Sequence, residues 1–188
     1  LAREVDLARQ IQRSLLPSEH REAGEFTIVG AQRAAAEVGG DYYDFFPLAD
    51  GRVGLAVADV AGKGLAGCLV MSMLSALLRA YRFSPLTPSA LLAALDERMS
   101  ETLQPGSFIT MFYGILDPAS GRLTFASAGH NPVLVYRAAE GKAEWIKSGG
   151  IPLGAIRGGA ILKTLTDSEV TLAPGDVLVQ YTDGVSEA

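Results

Sequence analysis

Apolar residues open the chain at three- and four-residue steps: Leu1, Val5, Ala8, Ile11 and Leu15 in LAREVDLARQIQRSLLP, stopped at Pro17. This spacing predicts an amphipathic helix, because residues three and four apart share one helix face. Leu1, Ala8 and Leu15 also stand seven apart, which suits pairing with a second helix as well as lying on the domain. The pattern then shifts to β-branched and aromatic runs: FTIVGAQR, DYYDFFPL and RVGLAVADV, the last two joined by an ADG turn. Two helices are predicted next, over about residues 63–81 and from the TPSA cap to about residue 103. Further strands are predicted at FITMFYGILD, RLTFASAG, PVLVYR, ILKTLTDSEVTL and DVLVQYTDG, and the turns DPASG, AEGK and APGD suit antiparallel pairing. Strands outnumber helices, and the helices come as a pair. This argues against a doubly wound parallel sheet and for an antiparallel sheet or sandwich covered by helices.

Composition narrows the class. A chain of 188 residues, 48% apolar and 20% charged, is long enough for one well-cored globular domain. The net charge of −5, with no Lys/Arg cluster to offset it, argues against a nucleic-acid surface. A single cysteine, Cys68, excludes an internal disulfide and fits a reducing, cytoplasmic setting. No apolar run reaches spanning length, so direct membrane insertion is not expected.

Three aspartates break the apolar pattern. Asp41 opens a strand after Gly39 and Gly40, Asp59 closes RVGLAVADV, and Asp183 closes DVLVQYTDG before Gly184. Gathered without a neighbouring Lys or Arg, such carboxylates repel one another, and a hard divalent cation with oxygen ligands resolves the repulsion. Taken singly, each could instead organise an Asx-turn. Gly62, Gly64 and Gly67 in GKGLAG match a dinucleotide-binding pattern. The adjoining Asp59 and the absence of a compact βαβ unit count against that reading. Cys68 lies in an apolar helical run and reads as a small hydrophobe. His130, in the polar turn SAGHNP, reads as a turn organiser or a substrate contact.

In order, EVGGDYYDFF, GLAVADVAGKGLAGCLVMSML, FITMFYGILD, ASAGHNPVLVYR, GIPLG and LAPGDVLVQYTDGVSEA closely resemble the SpoIIE/RsbU-type serine phosphatases. These are the bacterial branch of the PPM (type 2C) metal-dependent protein phosphatases. The resemblance implies an α+β fold, a four-layer α-β-β-α sandwich of two antiparallel sheets flanked by helices. It implies a linker or regulatory helix over residues 1–17 and a phosphatase domain over residues 18–188. It also implies two Mn²⁺ or Mg²⁺ ions. Asp41 would hold one, Asp59 would bridge both with the Val60 backbone carbonyl as a further ligand, and Asp183 would hold the other. Gly40, Gly62, Lys63, Gly64, His130 and Gly184 would support the turns and substrate around them. The family's pattern includes another ligand aspartate in an acidic motif well after TDG, so the resemblance implies a domain truncated at its C-terminus. Where animal type 2C enzymes carry a histidine just after the bridging Asp, this chain has Val60 and Ala61.

By the same resemblance, the substrate is a phosphoserine or phosphothreonine on a STAS-type anti-sigma-factor antagonist in a partner-switching pathway. An upstream sensor or receiver domain and a homodimer through the N-terminal helix are the further partners expected. The alternative is a weak or inactive PPM-fold module that binds a signalling partner.

Overall fold

Strict alternation along the central strands decides the architecture of this computed structural model, which describes residues 2–33, 38–62, 64–156 and 158–186. In chain order the elements are α1 (Ala2–Leu15), β1 (His20–Ala23), β2 (Phe26–Val29), β3 (Tyr42–Pro47), β4 (Val53–Val60), α2 (Leu65–Tyr81) and α3 (Pro88–Ser100). Then follow β5 (Ile109–Asp117), β6 (Arg122–Ala128), β7 (Val133–Arg137), β8 (Lys142–Ile146), β9 (Ser168–Thr171) and β10 (Val177–Val179). Short 3₁₀ turns lie at Ala160–Lys163 and Asp183–Val185.

A five-stranded antiparallel sheet, β3–β4–β5–β6–β9, divides the molecule. Successive strand side chains point to opposite faces. Tyr42, Ala56, Ala58, Met111, Tyr113, Ala126 and Ala128 therefore meet the helices on one side. Phe45, Val53, Phe112, Leu123 and Phe125 form a second core on the other. The helix-side core is completed by Met71, Leu74 and Leu78 of α2 and by Leu91, Leu92, Leu95 and Met99 of α3. These recur at three- and four-residue steps, so each helix buries one stripe. The Thr87 hydroxyl accepts the Ala90 N–H at 3.4 Å and Pro88 opens α3, as the TPSA reading expects. The second core is closed by the three-stranded sheet β10–β7–β8, through Val133, Val135, Ile146 and Leu178, and by the β1–β2 hairpin.

Within the described residues the layers are helix, sheet and sheet. The three α-helices share the first core, and the outer face of the three-stranded sheet leaves Tyr136, Trp145, Val177 and Val179 exposed.

Several elements depart from the expected pattern. β8 was not anticipated: KAEWI is mostly exposed and carries Lys142 and Glu144, so it lacks an apolar run and forms as the partner of β7. The stretch 161–172 splits into a 3₁₀ turn and the four-residue β9. FTIVGAQR pairs only over Phe26–Val29, with the unanticipated β1 as its partner. Gly64, at φ 67°, caps α2, which begins at Leu65. No helix among the described residues is long and apolar enough to cross a membrane.

Candidate metal centre

Strand register brings the first two aspartates together. β3 and β4 pair antiparallel with Tyr42 opposite Ala58, so one further step sets Asp41 level with Asp59. The 3₁₀ turn after β10 delivers Asp183 from a segment more than a hundred residues away. Its neighbour Thr182 donates to the Asp41 carboxylate, Oγ1 to Oδ2 at 3.2 Å.

Each of Asp41 and Asp59 feels the charge of Asp183. Burial raises the Asp59 carboxyl to about 6, helped by the charges of Asp41 and Asp183 and by a hydrogen bond with Asp41. Asp41 is also raised, by burial first and by the charge of Asp183 further, while the hydrogen bonds from Thr182 and Asp59 pull the other way. Burial and mutual repulsion thus favour the neutral form of both carboxyl groups. Two carboxylates held this close repel one another once both are ionised, and a bound cation removes that cost.

Backbone approach at the same corner demands glycine. A Cβ on Gly40 would lie 2.6 Å from the Val60 carbonyl oxygen, and one on Gly67 would lie 2.7 Å from the Gly62 carbonyl oxygen. The turn ahead of α2 packs against the Asp41 loop in this way, with Gly62 at φ 145° and Gly64 at φ 67°. At Gly184 an added Cβ would find only ordinary contacts, 3.9 Å from Thr182 Oγ1 and 4.0 Å from Asp41 Oδ2. Lys63 lies outside the described residues.

His130 sits behind this corner. Its Nδ1 is 2.8 Å from Thr110 Oγ1, and Thr110 is the β5 partner of Asp59. Its backbone N–H donates to Ser127 Oγ at 3.1 Å, and Ser127 Oγ donates back to its carbonyl at 3.3 Å. Burial drops the imidazole to about 4, so it is neutral at physiological pH. The Tyr181 carbonyl favours the protonated ring without closing a proper hydrogen bond to the enclosed Nε2. These contacts make His130 an organiser of the turn.

Sequence reading missed three supports. Thr182 was visible beside Asp183 in TDG. Gln32 donates Nε2 to the Asp41 carbonyl at 2.8 Å, and Gln12 of α1 binds Gly39 through both ends of its amide.

The donors fit a hard divalent cation. They are oxygens that carry excess negative charge, and among the described residues no Lys or Arg forms an ion pair with Asp41, Asp59 or Asp183. Gly40 keeps the Val60 carbonyl alongside them. No group of three or more His, Cys, Asp or Glu among the described residues already encloses a single metal position.

Residues 49–188 match the family model for Stage II sporulation protein E (SpoIIE), about three quarters of the chain. The chain belongs to the SpoIIE family. Phosphoserine phosphatase RsbU of Bacillus subtilis (strain 168) is 28% identical over 184 residues, 98% of this chain and 53% of that protein. A structure of RsbU and RsbW domains from Mycobacterium tuberculosis is 35% identical, with a TM-score of 0.67, over 82% of this chain and 41% of that one. The SiaA-PP2C domain of Pseudomonas aeruginosa superposes with a TM-score of 0.76 at 25% identity, over 97% of this chain and 72% of that one. The fold of this SpoIIE-family chain is thus the α+β fold of PP2C-type (PPM) domains. The chain spans from a third to about half the length of the curated relatives it matches.

Proposed function

We propose that this SpoIIE-family domain is a metal-dependent protein serine/threonine phosphatase, acting on a phosphorylated STAS-type regulator in a bacterial partner-switching pathway. One observation carries the reading. Asp41, Asp59 and Asp183, from three separate segments, share one corner where burial and mutual repulsion raise the Asp59 carboxyl to about 6. The kinship with a protein named as a phosphoserine phosphatase supports the same chemistry.

Asp41, Asp59, Asp183 and the Val60 carbonyl are the groups that would hold two Mn²⁺ or Mg²⁺ ions. Ions of this kind supply an activated water and neutralise phosphoryl charge during in-line displacement. The chain's own part is to fix the donors. Strand register sets Asp41 against Asp59, Thr182 orients the Asp41 carboxylate, and Gly40 lets the two strand ends close. His130, neutral and bonded to Thr110, holds the turn behind them and supplies no proton near neutral pH. An upstream sensor or receiver domain and a second copy are the regulatory partners proposed for α1, whose Leu7 and Ile11 are exposed.

The test is phosphate release from a phosphoserine-bearing regulator by the full protein, with and without Mn²⁺. Turnover should require the ion and vanish in Asp59→Asn while the fold is retained. Metal-independent turnover, or full activity in that variant, overturns the reading.

A further inference from the structure

The Gln12 side chain behaves as a piece of backbone. Its Nε2 donates to the Gly39 carbonyl at 2.6 Å, and its Oε1 accepts the Gly39 N–H at 3.3 Å. One primary amide thus pairs with both polar groups of one residue, as a neighbouring strand would. The residues are 27 apart in sequence, and Gln12 is 4% exposed in a helix whose other polar side chains are mostly in solvent.

Gly39 stands two residues before Asp41. Between them, Gly40 lies against the Val60 carbonyl at a distance that leaves no room for a side chain. On the far side, Gln32 holds the Asp41 carbonyl at 2.8 Å. The segment carrying the Asp41 carboxylate is therefore pinned in succession by Gln12, Val60 and Gln32. Two of these pins are glutamine side chains, and only Gln12 belongs to a helix that docks as a separate element.

Among the described residues, α1 is held to the domain chiefly at its C-terminal end. Leu15 and Leu16 pack on the helix-side core, and Arg79 of α2 donates to the Leu15 carbonyl. Leu7 and Ile11 remain exposed. A rotation or slide of α1 strains the Gln12 pair first, because among the described residues Gln12 ties α1 directly to the Asp41 loop.

We infer that Gln12 is a positioning residue for the metal centre: its amide couples the docking of α1 to the placement of Asp41. This inference rests on the metal-centre reading above. Coupling is reciprocal, so an ion held at Asp41 must in turn tighten α1 on the domain.

The experiment is Mn²⁺ titration of the full protein by isothermal calorimetry, comparing wild type with Gln12→Met and Arg79→Met. Methionine keeps the length and apolar packing of Gln12 and deletes both hydrogen bonds. With two hydrogen bonds lost, the Mn²⁺ Kd should rise about tenfold in Gln12→Met. The phosphatase kcat at saturating Mn²⁺ should stay near the wild-type value. Arg79→Met frees the C-terminal end of α1 and also deletes the Arg79–Asp44 ion pair, so it should lower Tm and, because the coupling is reciprocal, raise the Mn²⁺ Kd as well, by less than Gln12→Met. Hydrogen exchange supplies a readout free of activity: in wild type, Mn²⁺ should slow exchange of the α1 amides, and in Gln12→Met this slowing should be lost. If Gln12→Met does not fold, Gln12→Glu, which keeps the acceptor and loses the donor, must show the weakened Kd instead.

Wild-type protein that binds no Mn²⁺ refutes the metal-centre reading, and the inference with it. Wild type that binds while the Gln12 variants bind equally tightly refutes the inference alone. Unchanged α1 exchange on Mn²⁺ addition also refutes it.

Discussion

Asp59 and His130 are moved in opposite directions by the same burial, and this makes the pH behaviour of the metal-free protein readable. Asp59 is raised from 3.8 to about 6, so its neutral form is favoured by folding. Its stabilising contribution is complete below about pH 4 and is lost as pH rises through about 6. His130 is lowered from 6.5 to about 4, so its contribution is complete above about pH 6.5 and is lost as pH falls through about 4. Replacing Asp59 by Asn removes the first contribution alone. The Tm of Asp59→Asn minus that of wild type should therefore grow between pH 4 and 6 and level off above, in the absence of metal; a difference flat across that range refutes the assignment. Metal binding must also displace the Asp59 proton. Mn²⁺ affinity should fall about tenfold per pH unit below pH 6, with about one proton released per protein in calorimetry at pH 5 and almost none at pH 7.5. The three aspartates were legible because Asp beside Gly interrupts an apolar strand for no packing reason. Gln12 and Gln32 were not, because a glutamine announces nothing until the fold carries it to the backbone it binds.

Glycines that the family pattern treats alike are separated by their settings at the ends of elements. Gly40 lies where the start of β3 meets the end of β4, and a Cβ there would stand 2.6 Å from the Val60 carbonyl oxygen. Gly184 lies in the turn after β10, where a Cβ meets nothing closer than 3.9 Å. Gly40→Ala should cost about 1–3 kcal/mol in urea unfolding by forcing the strand ends apart. Gly184→Ala should stay within about 0.5 kcal/mol of wild type. Equal losses in the two variants would mean that the strand ends relax freely and that Gly40 is no steric requirement. The long strands and both paired helices were legible from alternation and from helical spacing. β8 and β1 were not, since KAEWI and HREA owe their strand form to a partner across the ladder rather than to an apolar run. The break in the stretch 161–172 was hidden because its Thr, Ile, Leu and Val residues suit a strand throughout, while only 168–171 finds a strand to pair with.

The central sheet belongs to both cores at once, and this decides how the whole molecule unfolds. Met111 and Tyr113 of β5 face the helices, while Phe112 between them faces the second core. β3, β4, β5 and β6 each place side chains in both cores, so none of these four can leave one core without opening the other, and the two cores should melt as one cooperative unit. The protein carries its own reporter, because its single tryptophan, Trp145, lies on β8 of the three-stranded sheet, edge-on to Tyr181 at 6.1 Å. The three helices lie across the central sheet from it and dominate circular dichroism at 222 nm. Leu92→Ala empties space in the helix-side core, and Phe125→Ala does so in the second; each should cost about 2–5 kcal/mol. In both variants the tryptophan and helix signals should move together to the same lower midpoint. If Leu92→Ala shifted the helix signal and left the Trp145 midpoint in place, the two cores would be independent. The central sheet would then no longer transmit packing from the helices to the sandwich beneath the aspartates.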